Sequence, residues 1–143
     1  MKTKQISVFV ENRVGRIMEI TEILGDNKIN IRALSLADTS DFGILRMIVD
    51  DIGKAVKVLK EKDFIVKENY VVAVEVPDKP GGLAAVLKVL GKKEINVEYI
   101  YAFFEQPQDK ALIIFRFENP DEAISALMKS GINVSGEEKL GVH

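Results

Sequence analysis

Two α+β modules in tandem, each ordered strand–helix–strand–strand–helix–strand, follow from three features of the 143-residue chain. The first is a repeat: Glu11-Asn12-Arg13-Val14-Gly15-Arg16-Ile17 returns 66 positions later as Pro77-Asp78-Lys79-Pro80-Gly81-Gly82-Leu83. The second is that the register persists. Leu24-Gly25 matches Leu90-Gly91, Ile29-Asn30-Ile31 matches Ile95-Asn96-Val97, and after a two-residue slip Ala55, Leu59 and Val66 match Ala123, Leu127 and Val134. Such a period exceeds that of solenoid repeats, and each copy is long enough to hold a small core. One domain is therefore expected at 1–68 and the other at 69–143. The third feature is apolar periodicity, which alternates between strand and helix spacing along each copy.

In the first copy, Ile6, Val8 and Val10 alternate with Gln5, Ser7 and Glu11, which predicts a half-buried strand. After the turn Asn12-Arg13-Val14-Gly15, residues Ile17, Ile20, Ile23 and Leu24 recur at helical spacing, and 25–28 reads as the helix exit. Residues 29–36 and 43–49 read as strands around the polar loop 37–41. Asp50 or Asp51 caps a helix with Ile52, Ala55, Val56 and Leu59 on one face, and 64–67 is a closing strand. The second copy repeats the order. Residues 71–76 form a strand, and Leu83, Val86, Leu87 and Leu90 a helix stripe; 96–104 and 111–117 are strands around the loop 105–109. Asn119-Pro120 starts a helix carrying Ala123, Ile124 and Leu127, and Ser130-Gly131 ends it before 132–135.

This order closes as an antiparallel four-stranded sheet with both helices on one face, the ferredoxin-like arrangement. No Pro-, Gly- or Ser-rich linker interrupts the chain near Glu68-Asn69, so the copies are expected to pair into an eight-stranded sheet. In the second copy Tyr99, Tyr101, Phe103, Ile113, Phe115 and Phe117 share the sheet with Ile100, Phe104, Leu112 and Ile114. Apolar residues on both faces require cover on both faces. A band of this size predicts a homodimer with closed twofold symmetry.

With 47% hydrophobic and 29% charged residues, a net charge of −2 and a pI near 5.5, the composition is that of a globular domain. It carries no electrostatic footprint for nucleic acid or an anionic membrane. Cysteine is absent and the one histidine is the terminal His143. Thiolate nucleophiles, Cys–His pairs and zinc constellations are thereby excluded, and no cofactor is expected. Without a signal core or a membrane-length apolar run, the expected location is cytoplasmic.

Lys79-Pro80-Gly81-Gly82-Leu83 lies between a strand ending Val74-Glu75-Val76 and an apolar helix, and Ile95-Asn96-Val97 follows. This order resembles the signature of the ACT domain family, and Arg13-Val14-Gly15-Arg16-Ile17 with Ile29-Asn30-Ile31 keeps the same frame. The resemblance covers the chain from Lys4 to about Leu140. It implies non-catalytic βαββαβ modules that bind free amino acids and regulate metabolic enzymes allosterically. Standing without a catalytic domain, the chain is similar to tandem ACT proteins regarded as amino-acid sensors.

The site that the resemblance implies begins at Gly15 and Gly81, because glycine tolerates strained dihedrals and lets a ligand approach the backbone. The N–H groups of Arg16, Gly82 and Leu83 would meet a carboxylate at the helix start. Asn12 and Asp78 supply acceptors for an ammonium, and Asn30 and Asn96 can bond either end. The first copy has Val14 for Pro80, and its Arg13 and Arg16 could hold the carboxylate; Val14, Ile17 and Leu83 point to an apolar or aromatic ligand side chain. In the family, ligand lies between the loop of one module and the second strand of another. The same residues also serve an ordinary turn, since Pro-Gly starts helices and Asn ends them without any ligand. Unequal loops predict unequal sites.

Other functions fit less well. The RNA-recognition module shares the strand order, but 43–49 offers no stacking aromatic, and the surroundings of Phe115-Arg116-Phe117 are acidic. No motif supports an enzyme. A regulatory small subunit for a separate amino-acid biosynthetic enzyme is the competing reading.

Overall fold

The computed structural model describes residues 1–38, 41–104 and 109–142. Parts of the two polar hairpin loops, and His143, lie outside the described residues. Among the described residues the order is β1 (Thr3–Glu11), α1 (Arg16–Asp26), β2 (Ile31–Asp38), β3 (Phe42–Val49), α2 (Ile52–Glu61), β4 (Ile65–Pro77), α3 (Gly82–Lys92), β5 (Val97–Ala102), β6 (Lys110–Phe117), α4 (Pro120–Lys129) and β7 (Val134–Ser135). The chain divides into two compact units. One comprises Lys4–Asn69 and the C-terminal residues from Gly141; the other comprises Met1–Thr3 and Tyr70–Leu140.

Among the described residues, seven strands replace the eight expected from the sequence. The closing strand of the first copy and the opening strand of the second are one strand, β4. Nothing at Glu68-Asn69 breaks it: neither residue is Gly or Pro, and the extended backbone continues through both.

In the first unit the strand order is β2-β3-β1-β4, with β3 antiparallel to both β1 and β2. Ile6, Val8, Leu45 and Met47 are fully buried with Ile20 and Leu24 of α1 and Ala55 and Leu59 of α2. Asp51 caps α2 by accepting from the Lys54 N–H at 3.2 Å. The polar side of β1 departs from expectation. Gln5 and Ser7 are buried rather than solvated, and the Ser7 hydroxyl donates to Asn69 Oδ1 at 3.1 Å. A buried hydroxyl needs such a partner.

In the second unit β4 lies between β6 and the short β7, with β5 beyond β6. Val72, Val74 and Val76 form one core with Phe115, Phe117, Val86 and Leu90 of α3 and Ala123 and Leu127 of α4, so both helices cover one sheet face. Phe115 and Phe117 stack with centroids 5.6 Å apart. Asn119 caps α4 at 3.2 Å with Pro120 following it, as the sequence implied.

On the opposite face, Tyr101, Phe103, Leu112 and Ile114 are all 8% exposed or less within a single chain. Only Ile100 and Phe104 of the band stay exposed. The band expected to need a second chain is already covered, so it gives no reason for a homodimer. In the segment after β7, Lys139 bonds the Glu75 carboxylate, and Leu140 is fully buried. No helix among the described residues is long and apolar enough to cross a membrane.

Candidate ligand-binding site

Both repeated turns have the same hydrogen-bond plan. In the first, Asn12 N–H donates to the Asp41 carbonyl at 2.9 Å, Arg13 N–H to Glu11 at 2.9 Å, and Arg16 N–H to Arg13 at 3.4 Å. In the second, Asp78 N–H donates to Asp109 at 3.1 Å, Lys79 N–H to Pro77 at 2.9 Å, and Gly82 N–H to Lys79 at 2.9 Å. Gly15 and Gly81 occupy the left-handed region, with φ of +89° and +83°, at the caps of α1 and α3. That conformation explains both glycines, because a side chain there meets a steric penalty. A Cβ would touch nothing within 4 Å at either one.

Neither α1 nor α3 receives a side-chain cap, whereas Asp51 and Asn119 cap α2 and α4. An uncapped helix start leaves donors and the positive end of the dipole facing out. The N–H groups are not all those the sequence suggested. Those of Arg16 and Gly82 are spent inside the turns. Leu83 and its neighbour Ala84, with Ile17 and Met18 in the first copy, are the ones left at the helix starts.

The two turns differ in their side chains. Arg13 and Arg16 both pair with Glu11, at 3.4 and 3.8 Å. Arg16 also bonds Glu19 at 2.8 Å and lies over the Phe64 ring, 4.7 Å from its centroid. Its charge is thus already met by two carboxylates and an aromatic face. Val14 is fully exposed, as is Met18 for the most part. In the second turn Asp78 and Pro80 are exposed, and Gly82 is buried. A Cβ on Gly82 would stand 2.0 Å from the Pro77 carbonyl oxygen, so close approach is the role of Gly82 rather than Gly81.

Asn30 and Asn96 are not brought to the turns of their own units. Each follows an 11-residue helix whose other end bears the glycine turn, a separation of roughly 16 Å. The Asn30 backbone is fixed by Asp50: its N–H donates to Asp50 Oδ1, and its carbonyl accepts from the Asp50 N–H, both at 3.0 Å. Asn96 lines an open depression of about 540 Å³ with Glu94, Glu118 and Glu122. Three carboxylates make it a poor host for an anionic group.

Sequence reasoning missed Glu75. Its side chain is 10% exposed and accepts from Lys139 and, at 3.2 Å, from Asn133 Nδ2. The hydrogen bond from Lys139 foremost, with Asn133 and the charge of Lys110, holds the carboxyl below its usual pKa. Its position in a strand read as ordinary core gave no signal.

The model of an ACT domain pair matches residues 1–142. No curated protein matches the chain. Among solved structures, a protein from Bacteroides thetaiotaomicron is 38% identical, with a TM-score of 0.92 over 99% of this chain and 96% of that one. The ligand-free regulatory subunit of aspartate kinase from Thermus thermophilus is 15% identical, with a TM-score of 0.63 over 88% and 90%. The corresponding subunit from Thermus flavus is 13% identical, with a TM-score of 0.64 over 92% and 94%. At those last identities the likeness is one of fold.

Proposed function

Because the chain belongs to the ACT domain pair family, we propose that it is a non-catalytic regulatory protein that binds a free α-amino acid. The observation that carries this reading is the contrast among its helix starts. Among the described residues, only α1 and α3, the helices behind the repeated glycine turns, lack a side-chain cap. A ligand carboxylate supplies the missing acceptor and answers the dipole. The ammonium is met by oxygens such as those of Asn12 or Asp78. The second turn is the stronger binder, because the arginines of the first are engaged by Glu11 and Glu19.

The test is a thermal-shift screen of the standard amino acids at millimolar concentration. A ligand at about 100 times its Kd stabilises the fold by roughly 2.7 kcal/mol. An unchanged Tm throughout, for protein refolded from denaturant to strip any bound ligand, sinks the proposal.

A second reading makes the chain a separate regulatory subunit of an enzyme of amino-acid metabolism. The exposed apolar pair Val14 and Met18 beside the first turn favours it. Retention of one enzyme activity by immobilised chain, lost on Met18→Glu, is the expected result.

A further inference from the structure

Among the described residues, β5 has β6 on one side and no strand on the other. The Phe103 N–H donates to the Leu112 carbonyl at 2.9 Å, so this residue turns its backbone to β6. Antiparallel pairing alternates, so Tyr101 does the same, while Ile100 and Ala102 turn their N–H and C=O groups to the open edge. Both are exposed, Ile100 by 39%, and Phe104 follows them at 58%. Ile100 is paired with Phe115 of the core, which puts the exposed side chains of the strand on the helix-bearing face. The helix layer continues this apolar edge. Ala85 and Val89 of α3 face the α4–β7 turn, so Leu83 and the 37% exposed Leu87, on the other side of the buried Val86 and Leu90, face towards β5.

We infer that a second chain of this protein docks on this edge, β5 pairing antiparallel with β5 of the partner about a twofold axis at Ala102. Soluble proteins guard their edge strands with charges, prolines or bulges. In β5 the guard is confined to one end: Glu98 sits at the register shift between Val97 and Tyr99 and pairs back to Arg116 at 3.8 Å. The stretch Ile100-Tyr101-Ala102-Phe103-Phe104 beyond it has no charge and no proline, and Ala102 is its centre. Pairing about that residue sets Ile100 against Phe104 of the partner subunit and leaves Glu98 outside the ladder. The other open edge, β2, carries Arg32 and Asp38, and Thr21 stands in α1 where α3 has Leu87. The occupant has to bring two layers, a strand for the edge and an apolar helix flank for Leu83 and Leu87. An extended peptide brings the first alone. The β5–α3 edge of a second chain brings both, and the twofold closes the assembly at two.

The experiment is sedimentation equilibrium of the full chain at micromolar concentration, with Ala102→Lys and, on the β2 edge, Leu36→Lys. Both positions are exposed, so the fold of each variant should persist, which circular dichroism verifies. Lysine at residue 102 meets its own symmetry mate, and like charges directly opposite disfavour pairing. Expected are a particle of two chains, association at least tenfold weaker in Ala102→Lys, and association unchanged in Leu36→Lys. Because the chain has no cysteine, Ala102→Cys should also be joined to its partner by a short thiol crosslinker, and Leu36→Cys should not. An unaltered chain that sediments at 15.9 kDa throughout overturns the interface. Association that stays within twofold in Ala102→Lys, or that is lost in Leu36→Lys instead, overturns its place at β5. A mass that grows past two chains overturns the closed twofold.

Discussion

Replacing Gly82 by alanine sets two effects of opposite sign against each other at one atom. The new Cβ would lie 2.0 Å from the Pro77 carbonyl oxygen and 3.0 Å from its carbon, against 3.4 Å where ordinary contact begins. The obstacle is backbone, which cannot rotate aside, and overpacking of this kind costs about 1–3 kcal/mol. Removing a glycine from the unfolded chain returns about 0.4–1 kcal/mol. The net expectation is a loss of roughly 1–2 kcal/mol, or about 3–8 °C in Tm. Gly91→Ala in the same helix is the control: a Cβ there meets nothing within 4 Å, so it should gain about 0.5 kcal/mol. Urea denaturation followed by circular dichroism measures both. If Gly82→Ala matched or exceeded the stability of the unaltered chain, the argument would fail. The second turn would then open as the first does around Arg16, where the equivalent hydrogen bond is 3.4 Å instead of 2.9 Å.

Gly81→Val should destabilise by about 1–2 kcal/mol through its left-handed backbone alone, while Gly81→Asn should cost markedly less; their difference in urea midpoint tests this. Glu75 has a folded pKa below its ordinary value of 4.5, so its stabilisation is complete above that pH and is lost as the pH falls through the folded value. Urea titrations from pH 7 to pH 3 should show this acid sensitivity reduced in Glu75→Gln. Asn119→Ala removes the bond to the Glu122 N–H and should cost about 1 kcal/mol, read as a lower melting temperature.

Periodicity made the element order legible, because the face that each side chain presents is a local property. Pro120 at the first position of α4 and Asp51 at the cap of α2 were readable for the same reason. Matters decided by the third dimension were not. The distance from Asn96 to the glycine turn of its own unit is one of them, set by the length of α3. Gln5 and Ser7 alternate as surface residues do, but the sheet is covered where they emerge. Three exchanges between the copies stand in the sequence, Arg16 for Gly82, Glu19 for Ala85 and Phe64 for Ile132. Only the cation–ring distance shows that they belong together.

The composition of the units bears on how this chain can be dissected. Met1–Thr3 belongs with Tyr70–Leu140, while the residues from Gly141 belong with Lys4–Asn69. Cutting the gene after residue 69 therefore yields no complete half. The first fragment would lack the buried Val142, and the second would lack Thr3, which is fully enclosed in the whole protein. Both would also end inside β4, exposing a severed strand prone to pairing with other chains. Although the sequence repeats itself, each copy needs the ends of the other's polypeptide to be whole. A designer seeking a single module would have to graft those terminal residues onto it.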